Sequence, residues 1–141
     1  MSSSTAELVA AHMQAAREDL AAAHTDLNAG HLRACVNRAY YAVFHAGSAL
    51  LATRGVIARR HHGVWTNLDK EFLLQDRMTK ADSAAYHELY AARVEADYKA
   101  PASLPEELVR DLLAKAQQFV AHAETLLEED GYGTDGEPAP K

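Results

Sequence analysis

Arg38, Tyr41 and His45 stand three and then four residues apart, and Tyr86, Tyr90, Arg93 and Asp97 stand four, three and four apart. A helical residue advances about 100° around the axis, so each set falls on one face of a helix. Asn37 and Ser48 lie beside the first line. Two polar-aromatic stripes of this kind invite two readings. In one, the stripes face each other and form a site that binds an anion, with the guanidiniums as its anchors. In the other they form a satisfied core network, in which Asp97 or Glu95 supplies the counter-charge to Arg38, and Asn37 and the tyrosine hydroxyls complete the hydrogen bonds. Removing one partner of such a buried pair costs about 3–5 kcal/mol, reason enough for a fold to keep it.

The charge distribution places any phosphate binding in the middle of the chain. The whole carries a net charge of −6, which argues against a general nucleic-acid coat protein. Between residues 31 and 70, however, Arg33, Arg38, Arg54, Arg59, Arg60 and Lys70 face only Asp69. The turn Gly-Val-Ile-Ala-Arg-Arg-His-His-Gly, residues 55 to 63, offers Arg59, Arg60 and His62 to a phosphate backbone; its plain alternative is a solvated basic loop. Metal binding finds no support. No Glu-x-x-His pair of the di-iron kind occurs, His87-Glu88 lacks the second histidine of a zinc-protease motif, and adjacent His61 and His62 diverge on a helix. His12, His24, His31 and His122 are scattered and read as surface residues, and Cys35 reads as core. No metal and no cofactor is expected.

The elements that must position these residues are all helical; no alternating strand pattern or Asn-Gly hairpin is visible. Ser4 to Glu7 fits a capping box and opens a helix that runs to about Asn28 and stops at Gly30. A second helix, His31 to Arg54, is apolar nearly all round and is therefore central. A third covers Val64 to Leu74 with Trp65, Leu68 and Phe72 inward. A fourth spans roughly Ala81 to Tyr98. A fifth opens at a second capping box, Ser103 to Glu106, and carries Leu108, Leu112, Phe119, Val120, Ala123 and Leu127 inward. Five helices with short connections predict an all-α, antiparallel up-and-down bundle. Residues 1–130 form a single domain, and the Gly- and Pro-containing tail 131–141 is expected to be disordered.

At 48 % hydrophobic and 24 % charged residues the chain has the profile of a soluble globular protein. One cysteine leaves no internal disulfide, and neither a secretory signal nor a membrane-length apolar run is visible. A cytoplasmic protein without membrane contact is the expectation.

The segments Asn-Arg-Ala-Tyr-Tyr-Ala-Val-Phe-His-Ala-Gly-Ser-Ala-Leu-Leu (37–51), His-His-Gly-Val (61–64) and Arg-Val-Glu-Ala-Asp-Tyr (93–98) together resemble the HEPN domain family, over about residues 5 to 128. The resemblance implies a four- or five-helix bundle that forms a homodimer, with a polar groove at or near the dimer interface. It implies a small prokaryotic protein often encoded beside a minimal nucleotidyltransferase, which would be its antitoxin partner. Many members are toxins that cleave RNA without a metal. Their signature is arginine, four to six residues, then histidine. The chemistry fits those types: histidine can move the proton of a ribose 2′-hydroxyl, and arginine can hold the phosphate that the 2′-oxygen attacks. Arg38 and His45 have six residues between them but sit in the second helix. At the family's own place for the signature, Arg93 is followed by Tyr98 where histidine would stand, and tyrosine, with a pKa of about 10, is a poor base at neutral pH. Arg93, His45 and Arg38 are thus the candidate catalytic residues, with His45 serving Arg93 if the second helix brings it within reach. Tyr41, Tyr90, Asp97, Tyr98, Arg59, Arg60 and His62 are the candidates for holding RNA or a nucleotide. The alternative is a non-catalytic module that holds a nucleotide or a partner protein in the same groove.

Overall fold

Long proline-free stretches rich in alanine and leucine form the helices, and glycines at positions 30, 55 and 131 follow three of them. The computed structural model describes residues 3–58, 60–98 and 104–133, apart from the side chains of residues 3, 61, 62 and 98. Helix α1 spans Ser3–Asn28, α2 Leu32–Ala52, α3 His61–Leu68, α4 Lys80–Tyr98 and α5 Glu106–Glu129. The end of α3 continues as one wider π-helical turn, Asp69–Leu73. After α1, Gly30 (φ 77°) takes the left-handed conformation, its N–H donates to the Leu27 carbonyl and that of His31 to Asp26. Gly55 (φ 71°) repeats the arrangement after α2, with Gly55 bonded to Ala52 and Val56 to Leu51. This paired pattern satisfies the last carbonyls of a helix and favours glycine, whose missing Cβ removes the strain of positive φ.

Ser4 is the second residue of α1, and Ser103 lies outside the described residues, with Pro105 standing directly before α5. A reciprocal cap is made at α4: Asp82 N–H donates to Thr79 Oγ1 (3.1 Å) while Thr79 N–H donates to Asp82 Oδ2 (3.2 Å). Thr-x-x-Asp meets the same geometric need as Ser-x-x-Glu.

Partners across the helix contacts fix the directions. Asp19 of α1 meets Arg38 of α2 while His12 meets His45, so the two run antiparallel. Lys115 of α5 meets Glu88 of α4 while His122 meets Asp82, so these do too. Helix α2 packs on α1, α3, α4 and α5 and is buried over most of its surface, through Cys35, Val36, Ala39, Tyr40, Ala42, Val43, Ala46, Gly47, Ala49, Leu50, Leu51 and Ala52. The fold is the all-α bundle that the periodicity predicts, with α2 at its centre.

Close approach explains one glycine within α2. A Cβ at Gly47 would stand 2.8 Å from Leu68 Cδ1 and 3.2 Å from Val64 Cγ1, so its absence lets α3 lie directly on α2.

Two expectations about the core change. Leu108 is 43 % exposed and Val109 is buried in its stead, because the inward stripe of α5 runs through Val109, Leu112, Leu113, Ala116 and Phe119. Tyr132, assigned to the tail, is buried against the bundle; residues 134–141 lie outside the described residues. None of the described helices is long and apolar enough to cross a membrane.

Candidate functional site

Arg38 and His45 turn toward α1, not α4. Arg38 Nη1 donates to Asp19 Oδ1 at 3.0 Å, and the other oxygen of Asp19 stands 3.9 Å from His45 Nε2. Asp19, only 15 % exposed, is thus the counter-charge that the sequence reading assigned to Asp97 or Glu95. The reason is geometric: positions 38 and 45 lie seven residues apart on the side of α2 that faces α1, while position 37 lies on the side facing α4. Beyond His45, its Nδ1 shares a hydrogen bond of 3.1 Å with His12 Nδ1. One ring must supply the proton and the other a lone pair. Burial lowers both imidazole pKa values. The neighbouring His45 lowers that of His12 further, while for His45 the carboxylate of Asp19 raises it and Arg38 lowers it. Both rings are therefore held toward the neutral form.

Arg93 occupies the other side of α2. Its Nε donates to Asn37 Oδ1 (3.3 Å) and lies 3.7 Å from Asp97 Oδ2, one turn further along α4. The guanidinium rests over Tyr40 (5.4 Å to the ring centroid) and Tyr41 (5.3 Å). Arg38 approaches the same Tyr41 ring at 5.5 Å. The two stripes therefore meet at Tyr41, flanked by an arginine from each helix, and such contacts are attractive because the ring face is electron-rich. No hydrogen bond or ion pair among the described residues joins His45 directly to Arg93.

The remaining tyrosines divide by burial. Tyr90 is half-buried, its ring 5.8 Å from Tyr40 and 4.8 Å from Trp65. Tyr86 belongs to the core: it is 1 % exposed, and its hydroxyl lies against that of Tyr40 without good hydrogen-bond geometry. Burial pushes both hydroxyls well above the ordinary tyrosine range, which removes them as acid–base groups. Cys35, as expected, is core; burial, with the charge of Asp26, pushes its thiol up to about 11 and leaves it unreactive.

Arg60 is exposed in extended backbone immediately before α3 and makes no described contact with the Arg38–Arg93 group. Arg59 and the side chains of His62 and Tyr98 lie outside the described residues. Among the described residues no group of three histidine, cysteine, aspartate or glutamate side chains could hold a metal ion. Sequence reasoning missed Asp19 and His12 because they sit in an unremarkable helix. Their signal was the seven-residue interval from His12 to Asp19, which matches that from Arg38 to His45 on a facing antiparallel helix.

Comparison with known proteins now decides the family. The HEPN domain profile matches residues 9–126. The chain belongs to the HEPN domain family. A relative from Thermotoga maritima, named UPF0332 protein, is 34 % identical over 114 residues, covering 81 % of this chain and 86 % of the relative. Two relatives from Methanocaldococcus jannaschii are named "Putative toxin MJ0605" and "Putative toxin MJ0142"; each is 29 % identical, over 87 % and 77 % of this chain and 91 % and 74 % of their own lengths. In this HEPN bundle the polar positions of α2 serve two neighbours at once: Arg38 and His45 pair with α1, Asn37 with α4.

Proposed function

We propose that this protein is the HEPN toxin component of a toxin–antitoxin or nucleotidyltransferase-associated pair, that it acts as a homodimer, and that it binds RNA through Arg38, Tyr41 and Arg93. The observation that carries the reading is the approach of two arginines to one ring, at 5.5 and 5.3 Å. Each guanidinium presents a planar fork suited to phosphate, and the described hydrogen bond and ion pair of Arg93 run through Nε, at the base of its fork. Arg38 is 38 % and Arg93 22 % exposed, so the groups are preorganised by their partners yet within reach of a ligand. The similarity to relatives that carry toxin names supports the toxin role.

Fluorescence anisotropy of a labelled RNA oligomer, in EDTA and low salt, tests the binding. Each of Arg38→Ala and Arg93→Ala is expected to weaken it about tenfold and to reduce the salt dependence by roughly one phosphate contact. Wild-type affinity retained in both variants would end this reading. Light scattering at micromolar concentration tests the dimer, and a monomer contradicts it.

His45 favours a second, catalytic reading. Burial keeps the ring toward its neutral form, and Asp19 ties it to Arg38. In that reading His45 takes the proton of a ribose 2′-hydroxyl, the 2′-oxygen attacks the adjacent phosphorus, and the bond to the 5′-oxygen breaks, that oxygen taking a proton from water, to leave a cyclic phosphate and a 5′-hydroxyl. An arginine steadies the charge on the phosphoryl oxygens. Cleavage of RNA in EDTA, lost in His45→Ala, is the expected result; intact RNA at high enzyme concentration leaves the binding reading alone.

A further inference from the structure

The aromatic side chains of this chain are few, and their distribution is uneven. Among the described residues Tyr40, Phe72, Tyr86, Phe119 and Tyr132 are buried, whereas Tyr41, Phe44, Trp65 and Tyr90 reach solvent in part. All four solvent-reaching rings belong to one connected group. Phe44 lies 6.0 Å from Tyr41, Trp65 lies 4.8 Å from Tyr90, and Tyr40 joins the two halves at 5.3 Å from Tyr41 and 5.8 Å from Tyr90. His87, 46 % exposed, adds its imidazole at 4.6 Å from Trp65. Arg93 sits on Tyr40 and Tyr41, at the centre of this run. Bundle packing alone does not require every accessible ring to gather beside the two arginines, on three different helices.

We infer that Trp65 and Tyr90 form a nucleobase-stacking subsite continuous with the Arg38–Tyr41–Arg93 cluster, so that the preferred ligand is a single-stranded stretch of RNA. This rests on the RNA-binding reading above and specifies it. In a duplex the bases are stacked on one another and present only edges, whereas unpaired bases offer faces to aromatic side chains. Phosphates then lie on the guanidiniums while a base lies against Trp65 and Tyr90, an arrangement that tolerates sequence because every base has a π face. His87 is the most exposed member of the run and the one that a base would displace.

The chain has a single tryptophan, so its fluorescence reports Trp65 alone. The full-length protein is titrated with a ten-nucleotide adenosine oligomer, with an abasic ribose-phosphate oligomer of the same length, and with a blunt RNA duplex. The expected result is saturable quenching by the adenosine oligomer, which binds roughly tenfold or more tightly than the abasic one, as one stacked base suffices to give. Anisotropy of labelled RNA then follows Trp65→Leu and Tyr90→Leu, each expected to lose that preference, and Trp65→Phe, expected to keep most of it. Circular dichroism identifies any leucine variant that fails to fold, and the wild-type comparison of the two oligomers stands without it. Equal affinity for adenosine and abasic oligomers, or preference for the duplex, overturns the stacking subsite but leaves RNA binding in place. Absence of binding to all three overturns both.

Discussion

Asp19 accepts a hydrogen bond from Arg38 at 3.0 Å across the contact between α1 and α2, and through its other oxygen it faces His45. One carboxylate therefore holds the cation of a candidate site and orients the imidazole beside it. Replacing it by asparagine keeps the shape and removes the charge. In Asp19→Asn the fold is expected to lose about 1 kcal/mol, a modest figure because Arg38 remains open to water. RNA affinity is expected to rise several-fold, because the Arg38 charge is no longer neutralised. Urea denaturation and anisotropy check the two effects separately; weaker RNA binding in a folded variant would show that Asp19 positions Arg38 more than it competes for it.

The two facing imidazoles make stability depend on pH. Burial depresses the pKa of His12 and His45 in the folded protein, so below the unfolded value, about 6.5, the unfolded chain takes up these protons first. The unfolded state then binds more protons, and stability falls as pH falls. The contribution is complete above that value and is lost on acidification toward the folded pKa values. The melting temperature is expected to be level near pH 8 and to decline below about pH 6.5. A His12→Gln/His45→Gln double variant, which holds no imidazolium at either position, should show a shallower decline over the same window.

Tyr86 presents the opposite case, a polar atom that contributes nothing visible. Its hydroxyl is fully buried against that of Tyr40 and has no hydrogen-bond partner of good geometry among the described residues. A buried donor left unsatisfied costs about 1–3 kcal/mol, and the ring itself packs on Tyr40, Trp65 and Phe119. Tyr86→Phe keeps the packing and removes the cost, so a gain of about 1 kcal/mol is expected by urea denaturation. A loss of that size would indicate a hydrogen bond to Tyr40 in solution.

Gly47 sets the distance between α2 and α3. Although valine is the better helix former, its Cβ and methyl groups would drive into Leu68 and Val64, both fully buried. Overpacking of this kind costs about 1–3 kcal/mol, and Gly47→Val is expected near the upper end. If α3 instead moves away, Trp65 moves with it, and a red shift of its fluorescence would report the displacement.

These residues show how far the sequence could be read. Helical periodicity, the glycines at positions 30 and 55 and the apolar character of α2 were enough for five helices, their order and their approximate ends, because these follow from local backbone preferences. Errors arose where one-dimensional patterns admit more than one answer. Ser4-Thr-Ala-Glu and Thr79-Lys-Ala-Asp satisfy the same capping rule; Ser4 falls one residue inside α1, while Thr79 stands directly before α4 and makes the reciprocal bonds. Leu108 and Val109 are adjacent apolar residues, and which one faces inward depends on how α5 is rotated against α2 and α4.

The sequence by itself determined the fold class, the central helix and the residue types that can hold an anion or move a proton, since all of these are properties of spacing along one chain. Only the tertiary structure decided how those residues are shared out. Arg38 and His45 lie on the side of α2 that meets α1, where Asp19 and His12 wait, and Arg93 reaches the other side through Asn37 and Tyr41. A helix projects its side chains in every direction, and its sequence does not say which neighbour will stand in each. That is settled by the rotation of one packed helix against the next, which the buried apolar surface selects for the bundle as a whole.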